Sequence, residues 1–316
     1  MTVALPSFDD ICDAAARIAP YARITPVLRS DVLDALVGAQ LYFKCENLQR
    51  GGAFKFRGAC NAVWSLDDAQ AKHGVVTHSS GNHGNALALA AVTRGIAAHV
   101  VVPEGAVRAK LEAIERAGAV LHRCAATQAA REATAAQVQQ ATGAAFVHPY
   151  ADTRVMAGQG SLVLELLDQV GELDALITPV GGGGLAAGCA IAAHGLDPAL
   201  ALYAAEPQGA DDAARSLAQG MRVGAFVPDT ICDGLRTLIG EPNFNALLTH
   251  RVKAITVSDA ETIAAMKWLW RELKQVVEVS SATVLAAMLQ QPQLFAGKRV
   301  GLVLTGGNVD LDALPW

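Results

Sequence analysis

A lysine with a phenylalanine on each side is the most distinctive chemical feature of this sequence. Lys55 lies between Phe54 and Phe56, and three glycines lie within four residues of it. Apolar neighbours disfavour the charged form of an amine, and a neutral amine can attack an aldehyde to form a covalent bond. We therefore predict that Lys55 is a nucleophile that links a cofactor. A lysine at an ordinary loop-to-helix junction is the alternative that this stretch alone leaves open.

Three further stretches each follow directly after a predicted strand, at the end where open parallel sheets bind ligands. The serines and asparagine of residues 79–84 suit a carboxylate or another anion at a helix start. Four consecutive glycines, Gly181, Gly182, Gly183 and Gly184, allow backbone N–H groups to converge on a phosphate. Thr305 offers a hydroxyl to a ring heteroatom. The structural alternatives are a capped turn, close helix–strand packing and a C-terminal turn, respectively.

Taken together, the four stretches indicate one ligand with three chemical groups. Lys55 would react with an aldehyde, the glycines would hold a phosphate, and Thr305 would face a heteroatom of a ring. Pyridoxal phosphate carries all three groups, so we expect it as the cofactor.

The elements that must position these stretches alternate between short apolar strands and alanine-rich helices. The predicted strands are 40–45, 75–78, 98–102, 120–123, 145–148, 175–180, 200–205, 252–257 and 300–305. The first predicted helix covers 11–18 after a cap at Ser7, and a second begins near residue 57. The others cover 85–94, 107–117, 128–140, 155–170, 185–193, 211–218, 259–273 and 282–289. This alternation favours an α/β fold built from parallel βαβ units. The continuous apolar run at 175–180 also predicts a strand that is buried on both faces.

Composition excludes several other classes of protein. The chain has 316 residues, of which 52% are hydrophobic and 17% charged, so it can bury a large core in one or two domains. A net charge of −5 without a long basic run argues against nucleic acid or an anionic membrane as partner. There is no apolar run of about 18 residues and no secretory signal pattern, so we expect a cytoplasmic protein. The six cysteines form no Cys-x-x-Cys pair and are expected to be buried free thiols.

The chain resembles the serine/threonine dehydratase and serine racemase family, which are pyridoxal-phosphate enzymes of fold type II and include 3-hydroxyaspartate dehydratases. The matching stretches follow in family order and are residues 46–49, 53–59, 79–84, 157–160, 179–184, 206–207, 233–234 and 305–308. The resemblance implies a tryptophan synthase β-like α/β fold with two open, mostly parallel sheets and flanking helices. It also implies a large domain from 1–73 and 152–316, a smaller mobile domain at 74–151, and a homodimer.

The same resemblance implies a set of cofactor-binding residues, namely Lys55, Phe54, Asn82, Gly181, Gly182, Gly183, Gly184, Glu278 and Thr305. Lys55 would hold the cofactor covalently and then move the Cα proton of the substrate. Asn82 would bond the 3-oxygen of the pyridine ring, and Thr305 would face the ring nitrogen. A neutral hydroxyl cannot keep that nitrogen protonated as a carboxylate would, which suits the loss of a β-leaving group.

Substrate and metal residues are also implied by the resemblance. Ser79, Ser80 and His83 would hold the substrate α-carboxylate, and Arg131 would bind a second carboxylate unless it is an ordinary surface arginine. Ser80 would also exchange a proton on the ring face opposite Lys55, as in racemases, or else bind the carboxylate alone.

The predicted metal site consists of the carboxylates of Glu206 and Asp212 and the carbonyl oxygen of Ala210. These hard oxygen ligands would suit Mg²⁺, Ca²⁺ or Mn²⁺. A solvated acidic loop is the alternative.

The predicted function is α,β-elimination of water from a small β-hydroxy amino acid of the serine, threonine or 3-hydroxyaspartate type. The products would be a 2-oxo acid and ammonia, with serine racemisation as a linked activity. A cysteine-synthase-like β-replacement enzyme is one alternative, although its usual Thr-Ser-Gly-Asn-Thr-Gly loop does not match residues 79–84. A non-catalytic α/β protein that binds a phosphorylated metabolite is the other.

The sequence departs from the family pattern at two positions, and it ends early. Glu278 is followed by Val279, Ser280 and Ser281, where the family often has proline and a small pair, and Asn85 stands where glutamine is common. Since the chain ends at Trp316, we expect no regulatory domain of the kind found in allosteric biosynthetic threonine dehydratases.

Overall fold

Strands and helices alternate along the whole chain. The computed structural model describes residues 4–106 and 108–316, and these contain ten strands and thirteen α-helices. The strands are β1 Val27–Leu28, β2 Gln40–Cys45, β3 Val75–His78, β4 Ala98–Pro103, β5 Val120–Cys124, β6 Ala145–Phe146, β7 Ala175–Pro179, β8 Ala201–Pro207, β9 Lys253–Val257 and β10 Arg299–Leu304. The helices are α1 Phe8–Ile18, α2 Asp31–Val37, α3 Lys55–Trp64, α4 Asp68–Ala71, α5 Asn82–Arg94, α6 Arg108–Arg116, α7 Gln128–Thr142, α8 Thr153–Val170, α9 Gly184–Leu196, α10 Asp212–Gln219, α11 Glu241–Thr249, α12 Asp259–Leu273 and α13 Val279–Gln290.

The strands form two open sheets. The larger has the order β1-β2-β10-β7-β8-β9, and every pair in it is parallel except β1 with β2. The smaller is entirely parallel, has the order β5-β4-β3-β6, and takes all its strands from the segment between Val75 and Phe146. The predicted α/β fold with two mostly parallel sheets is therefore confirmed. The predicted domains, 1–73 with 152–316 and 74–151, stay a prediction.

Helices cover both faces of the larger sheet. On one face, Met156 and Leu166 of α8 pack with Ala190 of α9 in one apolar cluster, and on the other Leu269 of α12 packs with Leu285 of α13 in a second. All five residues of β7 are buried, as the apolar run predicted. Burial of apolar surface is the main favourable contribution to folding. Because the strand itself is buried, polar side chains lie at its ends.

Helix starts at the strand ends differ from the prediction by two or three residues. Helix α3 begins at Lys55 rather than near Arg57, and α5 begins at Asn82 rather than at Asn85. Lys55 and Asn82 therefore lie in the first turns of their helices, where backbone N–H groups lack intrahelical partners. The helix predicted at 107–117 is observed as α6, and its predicted first residue, Val107, lies outside the described residues.

A buried ion network fixes the start of α3 against β2. Arg57 Nε and Nη2 donate to the two carboxylate oxygens of Glu46 at 2.7 and 2.8 Å, and Nη1 lies 2.9 Å from Glu165. Lys44 Nζ donates to the same Glu165 at 2.5 Å, and its side chain is fully buried. Because each buried charge has a counter-charge, the network holds the helix that carries Lys55 in one position.

Two other predictions concern the whole chain. All six cysteines are free thiols, and all are buried except the partly buried Cys12. Within the part of the chain that the structure describes, there is no helix with both the length and the apolar character needed to cross a membrane.

Candidate active site

Lys55 lies where the end of β10 meets the start of α3. Ala53 forms an antiparallel bridge with Gly306, and the N–H of Phe54 donates to the carbonyl of Thr305 at 2.9 Å. Lys55 Nζ donates to the carbonyl of Pro149 at 2.9 Å and lies 5.1 Å from the centre of the Phe54 ring.

The surroundings of Lys55 lower the pKa of its amine. Burial lowers the pKa of Lys55 to about 8, against the opposing effect of the negative charge on Glu278. About one such amine in ten is neutral at pH 7, against fewer than about one in a thousand for an ordinary lysine. The local structure thus supports the nucleophilic role predicted from the flanking phenylalanines.

Asn82 and Glu278 form the second part of the site. Asn82 Nδ2 donates to both carboxylate oxygens of Glu278 at 3.1 and 3.0 Å, and its Oδ1 accepts from Asn308 Nδ2 at 2.9 Å. Asn308 also donates to the carbonyl of Gly51 at 2.8 Å. The structure therefore joins α5, α13 and the segment after β10 beside Lys55, and Asn308 is a member of this group that sequence reasoning did not assign.

Thr305, which follows β10, is paired with a buried serine. Its Oγ1 lies 2.9 Å from Ser281 Oγ, and Ser281 Oγ also contacts the N–H of Gly306 at 2.8 Å and the carbonyl of Gly306 at 2.9 Å. Ser281 was missed as a site residue, although it lies in the stretch after Glu278 where the sequence departs from the family pattern. These two hydroxyls bond each other and the backbone of Gly306. Because a hydroxyl is uncharged, Thr305 can exchange hydrogen bonds with a ligand but not ion pairs.

Close packing alone would require glycine at each of the four positions between β7 and α9. A Cβ on Gly182 would lie 2.5 Å from the Tyr150 ring, and one on Gly183 would lie 2.8 Å from Asn243 Cβ. Gly183 also has φ +87°, in the left-handed region that favours glycine. A Cβ at Gly181 or Gly184 would likewise lie within 3 Å of backbone atoms. The packing alternative considered for the sequence is therefore a real constraint.

The same four glycines nevertheless leave donors for an anion. Within the described residues, the backbone N–H groups of Gly181, Gly182 and Gly183 donate to no protein acceptor, and those of the first turn of α9 have no intrahelical acceptor. Gly181 and Gly183 are buried, and buried N–H groups without an acceptor are rare in proteins. A phosphate at the positive end of α9 would satisfy them. The residues present therefore fit the predicted phosphate site.

Ser79, Ser80 and His83 lie between the end of β3 and the first turn of α5. His83 is 2% exposed, and within the described residues neither of its ring nitrogens has a hydrogen-bond partner. Burial, with a smaller effect of the Lys55 charge, lowers the pKa of His83 well below its usual value, so the ring is neutral. A neutral imidazole at the start of α5, in the same loop-to-helix segment as Ser79 and Ser80, can exchange a hydrogen bond with a carboxylate.

Arg131 lies on α7, the helix whose next residue, Glu132, lines a surface cavity of about 250 Å³. The Arg131 Nε is buried and has no hydrogen-bond partner among the described residues. Burial, with a small further effect of the Arg131 charge, lowers the pKa of His78, which directly precedes Ser79. Sequence reasoning missed the cavity, which is lined by His78, Glu132, Ala135, Ala136, Gln139, Phe146 and His148.

His148 links this cavity to Lys55. Its Nδ1 accepts from the N–H of Ala151 at 3.0 Å and of Tyr150 at 3.3 Å, and so it holds the turn whose Pro149 carbonyl accepts from Lys55. Burial lowers the pKa of His148 to about 4, so that it stays a neutral acceptor.

The three predicted metal ligands lie together at the start of α10. Glu206 is fully buried and accepts from the N–H groups of Ala213 and Ala214 at 2.9 and 2.8 Å, and burial raises its pKa to about 8. Asp212 Oδ2 accepts from the N–H of Ile239 at 2.7 Å, while its Oδ1 is buried without a partner in the described ranges. Burial also raises the pKa of Asp212 to about 6. No cluster of three or more His, Cys, Asp or Glu side chains suited to a metal occurs among the described residues, so this site would rely on a carbonyl and water.

The sequence matches the family described as pyridoxal-phosphate dependent enzyme over residues 18–306. The chain belongs to this family. It is 49% identical over 312 residues to the beta-hydroxyaspartate dehydratase of Paracoccus denitrificans (strain Pd 1222), covering 99% of both chains. It is 48% identical over 309 residues to the serine racemase of Arabidopsis thaliana, covering 96% of this chain and 93% of that protein. The solved structure of maize serine racemase superposes with a TM-score of 0.96 at 43% identity, covering 98% and 95% of the two chains.

As a pyridoxal-phosphate-dependent enzyme, the protein needs a site for an aldehyde, a phosphate and a pyridine ring. Lys55 supplies a partly neutral amine, and the glycines before α9 supply unpaired N–H groups. Thr305 supplies a buried hydroxyl that lies 2.9 Å from Ser281 Oγ. These three observations fit the cofactor. The family match and the superposition with maize serine racemase confirm the predicted fold type II.

Proposed function

We propose that this enzyme removes water from a small β-hydroxy amino acid and releases a 2-oxo acid and ammonia. The observation that carries the proposal is the amine of Lys55, whose lowered pKa leaves it partly neutral. It lies close to the neutral imidazole of His83, where the substrate carboxylate would bind. The names of the similar dehydratase and serine racemases favour elimination or racemisation over β-replacement. Membership of the enzyme family argues against a binding protein without catalytic activity.

Each residue of the site has a part in this reaction. Bound pyridoxal phosphate supplies an electron-withdrawing ring that makes the Cα–H bond of an attached amino acid acidic. Lys55 first holds the cofactor and then removes the Cα proton, for which a pKa of about 8 is well suited at neutral pH. The N–H groups of Gly181, Gly182 and Gly183 hold the phosphate. Ser79, Ser80 and His83 orient the substrate through its α-carboxylate.

The preferred substrate in this proposal is 3-hydroxyaspartate, because Arg131 has a buried Nε without a partner among the described residues, and its charge is felt by His78, which directly precedes Ser79. A guanidinium binds a carboxylate through two parallel hydrogen bonds. Cofactor-loaded protein with added Mg²⁺ should form 2-oxo acid from at least one of L-serine, L-threonine and the two 3-hydroxyaspartates. Arg131→Met should raise the KM for 3-hydroxyaspartate at least about tenfold and leave that for serine nearly unchanged. Absence of 2-oxo acid from all four substrates would refute the proposed function.

Serine racemisation is the second candidate activity. It is favoured by the position of Ser80 between β3 and α5, where its hydroxyl can serve as a second proton carrier beside the carboxylate pocket. Ser80→Ala should then lose racemisation and keep elimination, which chiral chromatography and a 2-oxo acid assay separate. A Ser80→Ala protein that racemises at the wild-type rate would contradict this role.

The metal site is a further part of the proposal. Glu206 and Asp212 are buried carboxylates with raised pKa values, and Asp212 Oδ1 has no partner among the described residues. A divalent cation bound to them would stabilise their charged forms. Mg²⁺ or Ca²⁺ should therefore raise the melting temperature of the wild-type protein, and Asp212→Asn should abolish this effect. The matched control is Asp211→Asn, at a neighbouring carboxylate that is paired with Arg215 near the surface. Equal stabilisation of both variants would exclude the site.

The domain motion, the oligomeric state and the cellular location are proposed from the resemblance to the family. We propose that segment 74–151 moves as a smaller domain and closes on the substrate, which would exclude water from the reaction. A homodimer and a cytoplasmic location complete the proposal. Sedimentation equilibrium tests the dimer, and substrate-dependent protection of β3 and α5 from hydrogen exchange tests the closure.

A further inference from the structure

Asn243 is a buried amide that contacts two loops of the candidate site. It lies in the first turn of α11 and is 0% exposed. Its Nδ2 donates to the carbonyl of Tyr150 at 3.1 Å and to the carbonyl of Gly182. Because carbonyl groups can only accept, these two contacts fix which end of the amide faces them. The side chain thus joins the turn that follows β6 to the glycine loop that precedes α9.

The bond to Gly182 determines where the next backbone N–H points. The carbonyl of Gly182 also accepts from the N–H of Gly240 at 3.1 Å, so α11 and the residue before it hold this oxygen from one side. In a planar trans peptide, the carbonyl and the N–H of the following residue point in opposite directions. The N–H of Gly183 therefore points away from α11. It is one of the three N–H groups that have no acceptor among the described residues and that suit a phosphate.

The bond to Tyr150 fixes the turn that contacts Lys55. The peptide that follows Tyr150 has its carbonyl held by Asn243, and its N–H, on Ala151, donates to His148 Nδ1 at 3.0 Å. The preceding peptide of the same turn donates its N–H to His148 Nδ1 at 3.3 Å, and its carbonyl accepts from Lys55 Nζ at 2.9 Å. The amide and the imidazole therefore hold the turn from two sides while it presents a carbonyl to Lys55.

The packing of α11 alone does not account for an asparagine at this position. Asn243 Oδ1 is buried and has no hydrogen-bond partner within the part of the chain that the structure describes, and such an atom costs stability. An apolar side chain would avoid this cost, but it could hold neither carbonyl. The property that the site uses is therefore the pair of donors on Nδ2.

We infer that Asn243 is a positioning residue that holds the N–H of Gly183 toward the cofactor phosphate and holds the Lys55 turn in place at the same time. The inference rests on the phosphate site of the proposed function. Asn243 would touch neither the phosphate nor the aldehyde, because it acts through two peptide planes. Loss of its two donors should therefore disturb phosphate binding and the reaction of Lys55 together.

The test uses the full-length, cofactor-free protein and two probes that each report one half of the site. Inorganic phosphate reports the glycine loop, and its dissociation constant is measured by ³¹P NMR titration. Pyridoxal has the aldehyde but no phosphate, so it reports Lys55. The rate of this reaction is followed against pH by borohydride reduction and quantification of the adduct on the Lys55 peptide.

The variants are Asn243→Leu, which removes both donors, and Asn243→Thr, which keeps one. The first control is Asn245→Leu, at an exposed position of the same helix. The second is Thr262→Val, which removes a fully buried hydroxyl of α12 that donates to the carbonyl of Ser258 at 2.9 Å. This second control measures what the loss of a buried hydrogen bond elsewhere does to both readouts.

Asn243→Leu should weaken phosphate binding about tenfold, the size expected for the loss of one hydrogen bond. It should also move the pH midpoint of the pyridoxal reaction upward. The reason is that a looser turn admits water, and burial is the main cause of the low pKa of Lys55. Asn243→Thr should lie between Asn243→Leu and the wild type in both readouts, and the two controls should match the wild type.

Several results would overturn the inference. Asn243→Leu with the phosphate affinity or the pH midpoint of the wild type would refute it alone, provided that the wild type takes up pyridoxal phosphate on Lys55. Equal effects of Thr262→Val and Asn243→Leu would assign the changes to a general loss of stability and would also refute it. If Asn243→Leu does not fold by circular dichroism, wild-type behaviour of Asn243→Thr has the same negative meaning. A wild type that binds neither probe would refute the proposed function as well.

Discussion

Replacement of Arg57 by methionine should destabilise the protein far more than replacement of an exposed arginine. The Arg57 side chain is 3% exposed, and its guanidinium contacts Glu46 and Glu165 at 2.7–2.9 Å. In Arg57→Met, Glu165 keeps Lys44, but the fully buried Glu46 keeps only the hydrogen bond from Thr25 among its described side-chain partners. Removing one partner of a buried ion pair costs about 3–5 kcal/mol because the remaining charge is uncompensated.

That loss is a large fraction of the about 5–15 kcal/mol that stabilises a typical protein. It should be measured by urea unfolding of the cofactor-free protein, so that ligand binding does not contribute. The control is Arg108→Met, which breaks an exposed pair with Glu112 and should cost less than about 1 kcal/mol. Arg57→Met with Glu46→Gln should recover part of the loss, since no unpaired buried charge remains there. If Arg57→Met has the same urea midpoint of unfolding as the wild type, this account of the network is refuted.

Two further predictions concern the cofactor site. Uptake of pyridoxal phosphate by the cofactor-free protein should become faster as the pH rises from about 7 to 9. The reason is that Lys55, with a pKa of about 8, becomes neutral over that range. An uptake rate that does not change with pH, measured by stopped-flow absorbance, would contradict this prediction. Gly183→Ala should cost about 1–2 kcal/mol from its left-handed backbone, more from the close contact of its Cβ with Asn243 Cβ, and should also weaken cofactor binding. Gly220→Ala, at φ +67° with open space around it, should show the backbone cost alone, and equal cofactor affinity of the two variants would count against the phosphate site.

Much of the fold could be predicted because strands and helices differ in length and apolar pattern. The run at 175–180 identified β7 as buried, and glycine breaks identified the ends of several helices. Helices α2, α4 and α11 were missed. Helix α2 spans only two turns, too short for a clear apolar period, although Ser30 caps it and Gly38 ends it.

A candidate site could be proposed from the sequence where a residue type alone indicates the chemistry, as for Lys55 and the four glycines, and these roles stay predictions. It was not predictable where function depends on contacts distant in sequence. Ser281 meets Thr305 across 24 residues, and Lys44 meets Glu165 across 121. Neither pair follows a helical or strand period, so only the folded chain reveals them.

The most direct test of the central claim is to find which amine carries the cofactor. Borohydride reduction of the loaded protein, followed by proteolysis and mass spectrometry, should place the pyridoxyl adduct on the peptide that contains Lys55. Lys55→Ala protein should carry no adduct and lack the visible absorbance of the bound cofactor. An adduct on another lysine of the wild type, or no adduct at all, would contradict the account.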